Sequence, residues 1–106
     1  MKAAFEVRYT AAAREDVLRL FDFLLERAQT IEDFDAAQAA IDALRTAVQN
    51  HLRRTPFIYR KAGDSAFVRE LIVPFGHSGY VALFEIEGAN AVHILAVRHQ
   101  REDDYY

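Results

Sequence analysis

The chain contains no cysteine in 106 residues. A disulfide framework, a thiolate metal site and a cysteine nucleophile are therefore excluded, and a reducing compartment suits it. Glycine and proline are scarce as well, four and two respectively, which excludes collagen-like and linker-like chains and leaves few places for the backbone to break. No apolar run approaches the ~18 residues needed to cross a bilayer, and the opening MKAAFEVRYT lacks the apolar stretch of a signal peptide. A soluble cytoplasmic protein with no membrane partner is the expectation. Positive charge is not in excess either: 13 Lys and Arg stand against 16 Asp and Glu, a net −3, so the chain as a whole is no general binder of polyanions.

What is present is a globular composition, 52% hydrophobic and 27% charged. At this length roughly 60–70% of the unfolded surface can be buried around one core, and no repeat or low-complexity tract divides the chain, so residues 1–106 read as a single domain. The charge is uneven. Residues 11–50 carry four Arg against eight carboxylates, whereas residues 51–70 carry Arg53, Arg54, Arg60, Lys61 and Arg69 against Asp64 and Glu70.

Phe5, Val7 and Tyr9 alternate with Glu6 and Arg8, the period-two pattern of a half-buried strand. Thr10 offers a helix N-cap, Glu15 and Asp16 are placed to favour the positive helix end, and Val17, Leu20, Phe21, Leu24, Leu25 and Ala28 follow at helical spacing. After Gln29 and Thr30 a second stripe runs Phe34, Ala37, Ile41, Leu44, Val48 and Leu52, with Thr30 and Asp33 spaced as a capping pair. The short link makes the two helices an antiparallel hairpin. Pro56 ends the second helix by about residue 54. Residues 67–73, 80–86 and 91–98 are rich in β-branched and aromatic side chains, and their links, 74–79 and 87–90, are too short for a crossover helix, so an antiparallel meander is expected. The order β-α-α-β-β-β predicts an α+β fold, a two-layer sandwich with the helix hairpin packed on one face of a mainly antiparallel four-stranded sheet. Strands this apolar on both sides leave the second face for a partner chain or a second copy.

Three segments make the pattern more specific. Val68-Arg69-Glu70-Leu71, Gly79-Tyr80-Val81-Ala82-Leu83-Phe84 and Ile94-Leu95-Ala96-Val97-Arg98-His99-Gln100-Arg101-Glu102-Asp103 resemble the strands and terminal motif of the RelE/ParE toxin superfamily, and its ParE branch above all. Leu18, Phe23, Ala37 and Leu44 fit the looser helical pattern, so the resemblance spans essentially the whole chain. It implies a toxin of a bacterial type II toxin–antitoxin pair, held in a hetero-oligomer by a ParD-like antitoxin. ParE-type toxins are understood to inhibit DNA gyrase by trapping its cleaved complex with DNA, without covalent chemistry of their own, and this arrests growth and stabilises plasmids. The alternative the superfamily offers is a RelE-like ribosome-dependent mRNA endoribonuclease; a third reading is a module that binds antitoxin and harms nothing. The acidic balance and the solitary Lys61 where RelE carries a close Lys pair favour the non-nuclease branch, while a terminal motif without the longer tail of some ParE relatives, a tail sometimes tied to toxicity, implies low potency.

Under the resemblance, Arg69, Arg98, His99 and Arg101 are the candidate target-binding residues, and in the nuclease reading His99, Arg69 and Arg98 are the catalytic ones. Arg69 offers a planar fork to a phosphate or carboxylate, or is a salt-bridged strand residue. His99 is a general acid, or a structural hydrogen-bonder at a strand end. Arg98 and Arg101 either join Arg69 in a positive patch or pair with the carboxylates of 102–104. Arg53, Arg54, Arg60 and Lys61 are possible contacts to nucleic acid, including gyrase-bound DNA, or an ordinary solvated loop. No cofactor is expected, and no metal, because His51, His77, His93 and His99 fall on different elements. Tyr105 and Tyr106 can stack on a base or simply fray.

Overall fold

The computed structural model describes residues 4–76 and 78–101. His77, the 102–104 carboxylates and Tyr105 and Tyr106 lie outside these described residues. The elements run β1 (Glu6–Tyr9), α1 (Ala11–Arg27), α2 (Ile31–Leu52), a single 3-10 turn at Pro56–Ile58, β2 (Val68–Phe75), β3 (Ser78–Glu87) and β4 (Ala91–His99). Both expected caps form. The Thr10 hydroxyl accepts the Ala13 N–H, and Thr30 and Asp33 make a complete capping box at the start of α2. The dipole role expected of Glu15 and Asp16 does not hold, since no acidic residue lies in the first turn of α1, where that effect is concentrated.

The sheet order is β1-β4-β3-β2. The meander of β2, β3 and β4 is antiparallel throughout, while β1 pairs with β4 in parallel, Glu6 opposite Ala91 and Tyr9 opposite Ile94. The helix hairpin carries the chain from the β1 edge to the β2 edge, with α1 over β4 and α2 over β2. Leu44, Val48, Leu52, Phe84, Val92, Ile94 and Val97 are fully buried between the layers, each side chain stabilising by about 1.5–3 kcal/mol relative to exposure. The α2 stripe is buried as its spacing predicts, except Phe34, which is 48% exposed.

β2 runs two residues further than its sequence suggests, through Pro74. Alternation explains how. The Val68 carbonyl and Glu70 N–H point away from β3, toward Ala62 and Arg60, so by period two the Pro74 nitrogen also faces the free edge, where a missing N–H breaks no ladder bond.

The ladder of β3 and β4 shifts register between Leu83 and Phe84, opposite Ala96 and Ile94, which leaves Leu95 as an extra residue. Two side chains serve the backbone of this bulge. The Thr10 hydroxyl donates to the Leu95 carbonyl at 3.3 Å, and the buried Asp16 carboxylate accepts the Val97 N–H at 2.9 Å. Asp16 is thus a tie between α1 and β4.

Candidate functional site

The period-two alternation of the strands sorts the candidate residues onto two faces. On the helix-covered face, Arg69, Leu71 and Val73 of β2 lie beside Phe84, Ala82 and Tyr80 of β3, Phe75 follows on the same side of β2, and His99 is paired with Tyr80. Glu6, Arg8, Glu70, Ile72, Val81, Glu85, Glu87, His93 and Arg98 occupy the opposite face, which no helix of the described residues covers.

At one end of the covered face, a cleft of about 740 Å³ opens between the C-terminal half of α1, the N-terminal half of α2 and the ends of the strands. Leu20, Leu24, Ala37, Ala40 and Tyr80 give it an apolar lining, and Phe23 and Phe75 stand partly exposed beside them. Among the described residues, Arg19, Arg27, His99 and Arg101 also line it, against the one carboxylate of Asp33. Arg27 lies over the Phe23 ring, 4.4 Å from its centroid, an i,i+4 cation–π contact that holds both at the mouth. Burial raises the Tyr80 phenol above its ordinary pKa. Bonds from the Gln29 and Thr30 N–H groups hold the Asp33 carboxyl below its ordinary range.

His99 stands edge-on to Tyr80, centroids 5.7 Å apart, and its Nδ1 accepts the Arg101 N–H at 3.1 Å. In the neutral ring that bond places the proton on Nε2. Arg98 projects to the other face, with Nη1 3.3 Å from the His99 carbonyl. Arg69 lies elsewhere again. Its Nε donates to the Ala66 carbonyl at 2.9 Å and its Nη1 to those of Phe57 at 3.0 Å and Tyr59 at 2.7 Å, so the fork clamps the 57–66 loop. Arg69 pairs with Phe84 and His99 with Tyr80. Four residues of strand separate those levels, about 13 Å, and β3 lies between. The structure therefore brings His99 and Arg101 together and disperses Arg69 and Arg98.

Arg53, Arg54, Arg60 and Lys61 cluster at the far end of α2, all exposed, with Arg60 held 3.1 Å from Glu70. His51 and His93 are on separate elements, and no group of His, Asp or Glu among the described residues has the arrangement of a metal site. The uncovered face carries Glu6, Glu70, Glu85 and Glu87. The Arg8 guanidinium, 2.8 Å from Glu6, lowers that carboxyl's pKa through its hydrogen bond and its charge. Glu87 lies against His93 Nε2. Val81 and Ala96 are buried there even so.

Sequence reasoning missed the cleft residues Arg19, Arg27, Phe75 and the shared position of Phe23. The signal for Phe23 and Arg27 was their i,i+4 spacing; nothing local marks Phe75, which reaches the cleft only through the hairpin register.

A two-layer α+β fold with an apolar, cation-lined cleft beside the helix hairpin is the class these features define. Residues 7–104 match the family described as ParE toxin of type II toxin-antitoxin system, parDE, and the chain belongs to that family. No curated protein matches it in sequence. Among solved structures, a chain of the chromosomal ParDE TA system from P. aeruginosa is similar, with a TM-score of 0.66 and 17% identity over 93% of this chain and 97% of that one; at that identity the likeness is one of fold.

Proposed function

We propose that this ParE-family chain inhibits DNA gyrase, trapping the cleaved gyrase–DNA complex by binding and without covalent chemistry of its own, and that a cognate ParD-like antitoxin neutralises it in the cytoplasm. The observation that carries the binding reading over a nuclease is the dispersal of His99, Arg69 and Arg98. General acid catalysis and phosphorane stabilisation need groups within hydrogen-bond reach of one phosphodiester. Here Arg69 is committed to loop carbonyls and Arg98 faces away from His99.

The cleft supports the antitoxin side of the reading. An amphipathic segment with apolar anchors flanked by carboxylates fits an apolar lining with a cationic rim. No helix of the described residues is long and apolar enough to cross a membrane.

The test is a supercoiling reaction with gyrase, DNA and ATP to which the purified chain is added. Accumulation of linear, protein-linked DNA is expected, and its reversal by the antitoxin. Unimpaired supercoiling, with mRNA cleavage in a parallel translation extract, would overturn the proposal in favour of a ribosome-dependent nuclease.

A further inference from the structure

The segment from Arg53 to Arg69 is the second unusual surface of the molecule, about 20 Å from the cleft along α2. It carries five cations and one carboxylate, Asp64. Three large apolar side chains stand out of it: Phe57 is 48% exposed, Ile58 72% and Phe67 53%. Grouped in one segment and interleaved with arginines, they make the kind of exposed patch that marks an interaction surface.

The segment is also held in shape. Arg69 ties the carbonyls of Phe57, Tyr59 and Ala66 to one guanidinium, which brings the backbone at 57–59 close to that at 66. The Arg69 guanidinium lies 5.6 Å from the Phe57 centroid, and Phe5 abuts the same ring edge-on at 6.4 Å. Phe5 N–H donates to the Arg53 carbonyl at 2.8 Å, and the 60–62 stretch is bonded to the outer edge of β2. Arg53, Arg54 and Lys61 form no ion pair among the described residues, so their charges remain available.

We infer that this surface binds single-stranded DNA, Arg53, Arg54 and Lys61 contacting phosphates while Phe57 and Phe67 stack on unpaired bases. Rings beside backbone-tracking cations are the two components of sequence-tolerant single-strand recognition. An acidic protein surface would match the cations alone, and a protein partner would also need apolar pockets placed for both rings. The choice of DNA rests on the gyrase reading, which places the chain beside cleaved DNA. The surface lies apart from the cleft, so a segment seated in the cleft leaves it open.

The experiment is fluorescence anisotropy of a labelled DNA 20-mer with the purified full chain and no gyrase. Three phosphate contacts on a single strand predict that affinity falls about 20-fold between 50 and 200 mM salt. The triple variant Arg53→Gln, Arg54→Gln, Lys61→Gln should lose most of that salt dependence, and Phe67→Ala should lose about tenfold in affinity. The cleft variant Arg19→Gln, Arg27→Gln should bind within about twofold of the parent, and far-UV circular dichroism should show every variant folded. If Phe67→Ala proves unfolded, the triple variant, whose changes are confined to exposed side chains, decides alone. No binding at 50 mM salt, equal loss in the cleft variant, or at least tenfold preference for RNA of the same sequence would overturn the inference. So would capture of DNA-free gyrase that only the triple variant loses, which would assign the surface to protein. Gyrase trapping is scored separately, so trapping without DNA binding would sink this inference and leave the gyrase reading standing.

Discussion

Replacing Asp16 with Ala would test whether one buried carboxylate holds the helix layer to the bulged strand. Asp16 is 4% exposed, and its Oδ2 accepts the Val97 N–H at 2.9 Å. A hydrogen bond to an ionised group is worth about 1.5–3 kcal/mol, and a buried donor left without a partner costs a similar amount. The Ala variant should therefore lose about 2–3 kcal/mol, equivalent to a fall in Tm of roughly 10–20 °C for a domain of this size. Asp16→Asn keeps an acceptor oxygen in nearly the same place without the charge, and should lose about 1 kcal/mol. Urea unfolding followed by far-UV circular dichroism measures both. An Ala variant within about 0.5 kcal/mol of the parent, the range of an ordinary surface change, would refute the reasoning and show that water serves the Val97 N–H equally well.

Three further outcomes are expected. Gly79→Ala should destabilise by about 2–3 kcal/mol, because a Cβ there would overlap the Val73 carbonyl oxygen and meet the Pro74 Cα at 3.0 Å; an unchanged urea midpoint would contradict this. Tyr9→Phe should be neutral or stabilise by up to about 1 kcal/mol, since the Tyr9 hydroxyl is buried without a hydrogen-bond partner among the described residues; a clear loss of stability would reveal a partner. Asp33 has a lowered pKa in the fold, so its capping contribution is complete above the ordinary carboxylate value near 4 and is lost as pH falls through the lowered one. Asp33→Asn should accordingly lag the parent in helix stability at pH 7, with the gap closing toward pH 2 in acid titrations followed at 222 nm.

The elements themselves were legible in the sequence. Thr10, Thr30 with Asp33, and Pro56 mark helix ends by local hydrogen bonding and ring geometry, and the apolar periods of α2 and the last three strands are local too. A cap or an alternation needs only neighbours along the chain. The same holds for the family resemblance, which rests on contiguous runs. Even the error at Pro74 is local reasoning stopped one step short, because edge or centre is a property of the sheet and not of the residue.

What the tertiary structure decided depends on pairing between distant segments. That β1 joins β4 in parallel places Thr10 and Asp16 against the bulge at Leu95, a contact across 81 positions of sequence between Asp16 and Val97. Strand register put His99 beside Tyr80 on the cleft side and turned its neighbour Arg98 to the other face, since adjacent strand residues point oppositely. From its place in the sequence Arg69 reads either as a fork for a ligand or as a salt-bridged strand residue; the loop that precedes it folds back and occupies that fork with carbonyls instead. Composition can announce that a chain carries arginines and aromatics. Which of them face one ligand is set by register and crossover, because only these bring residues far apart in sequence to the same few ångströms.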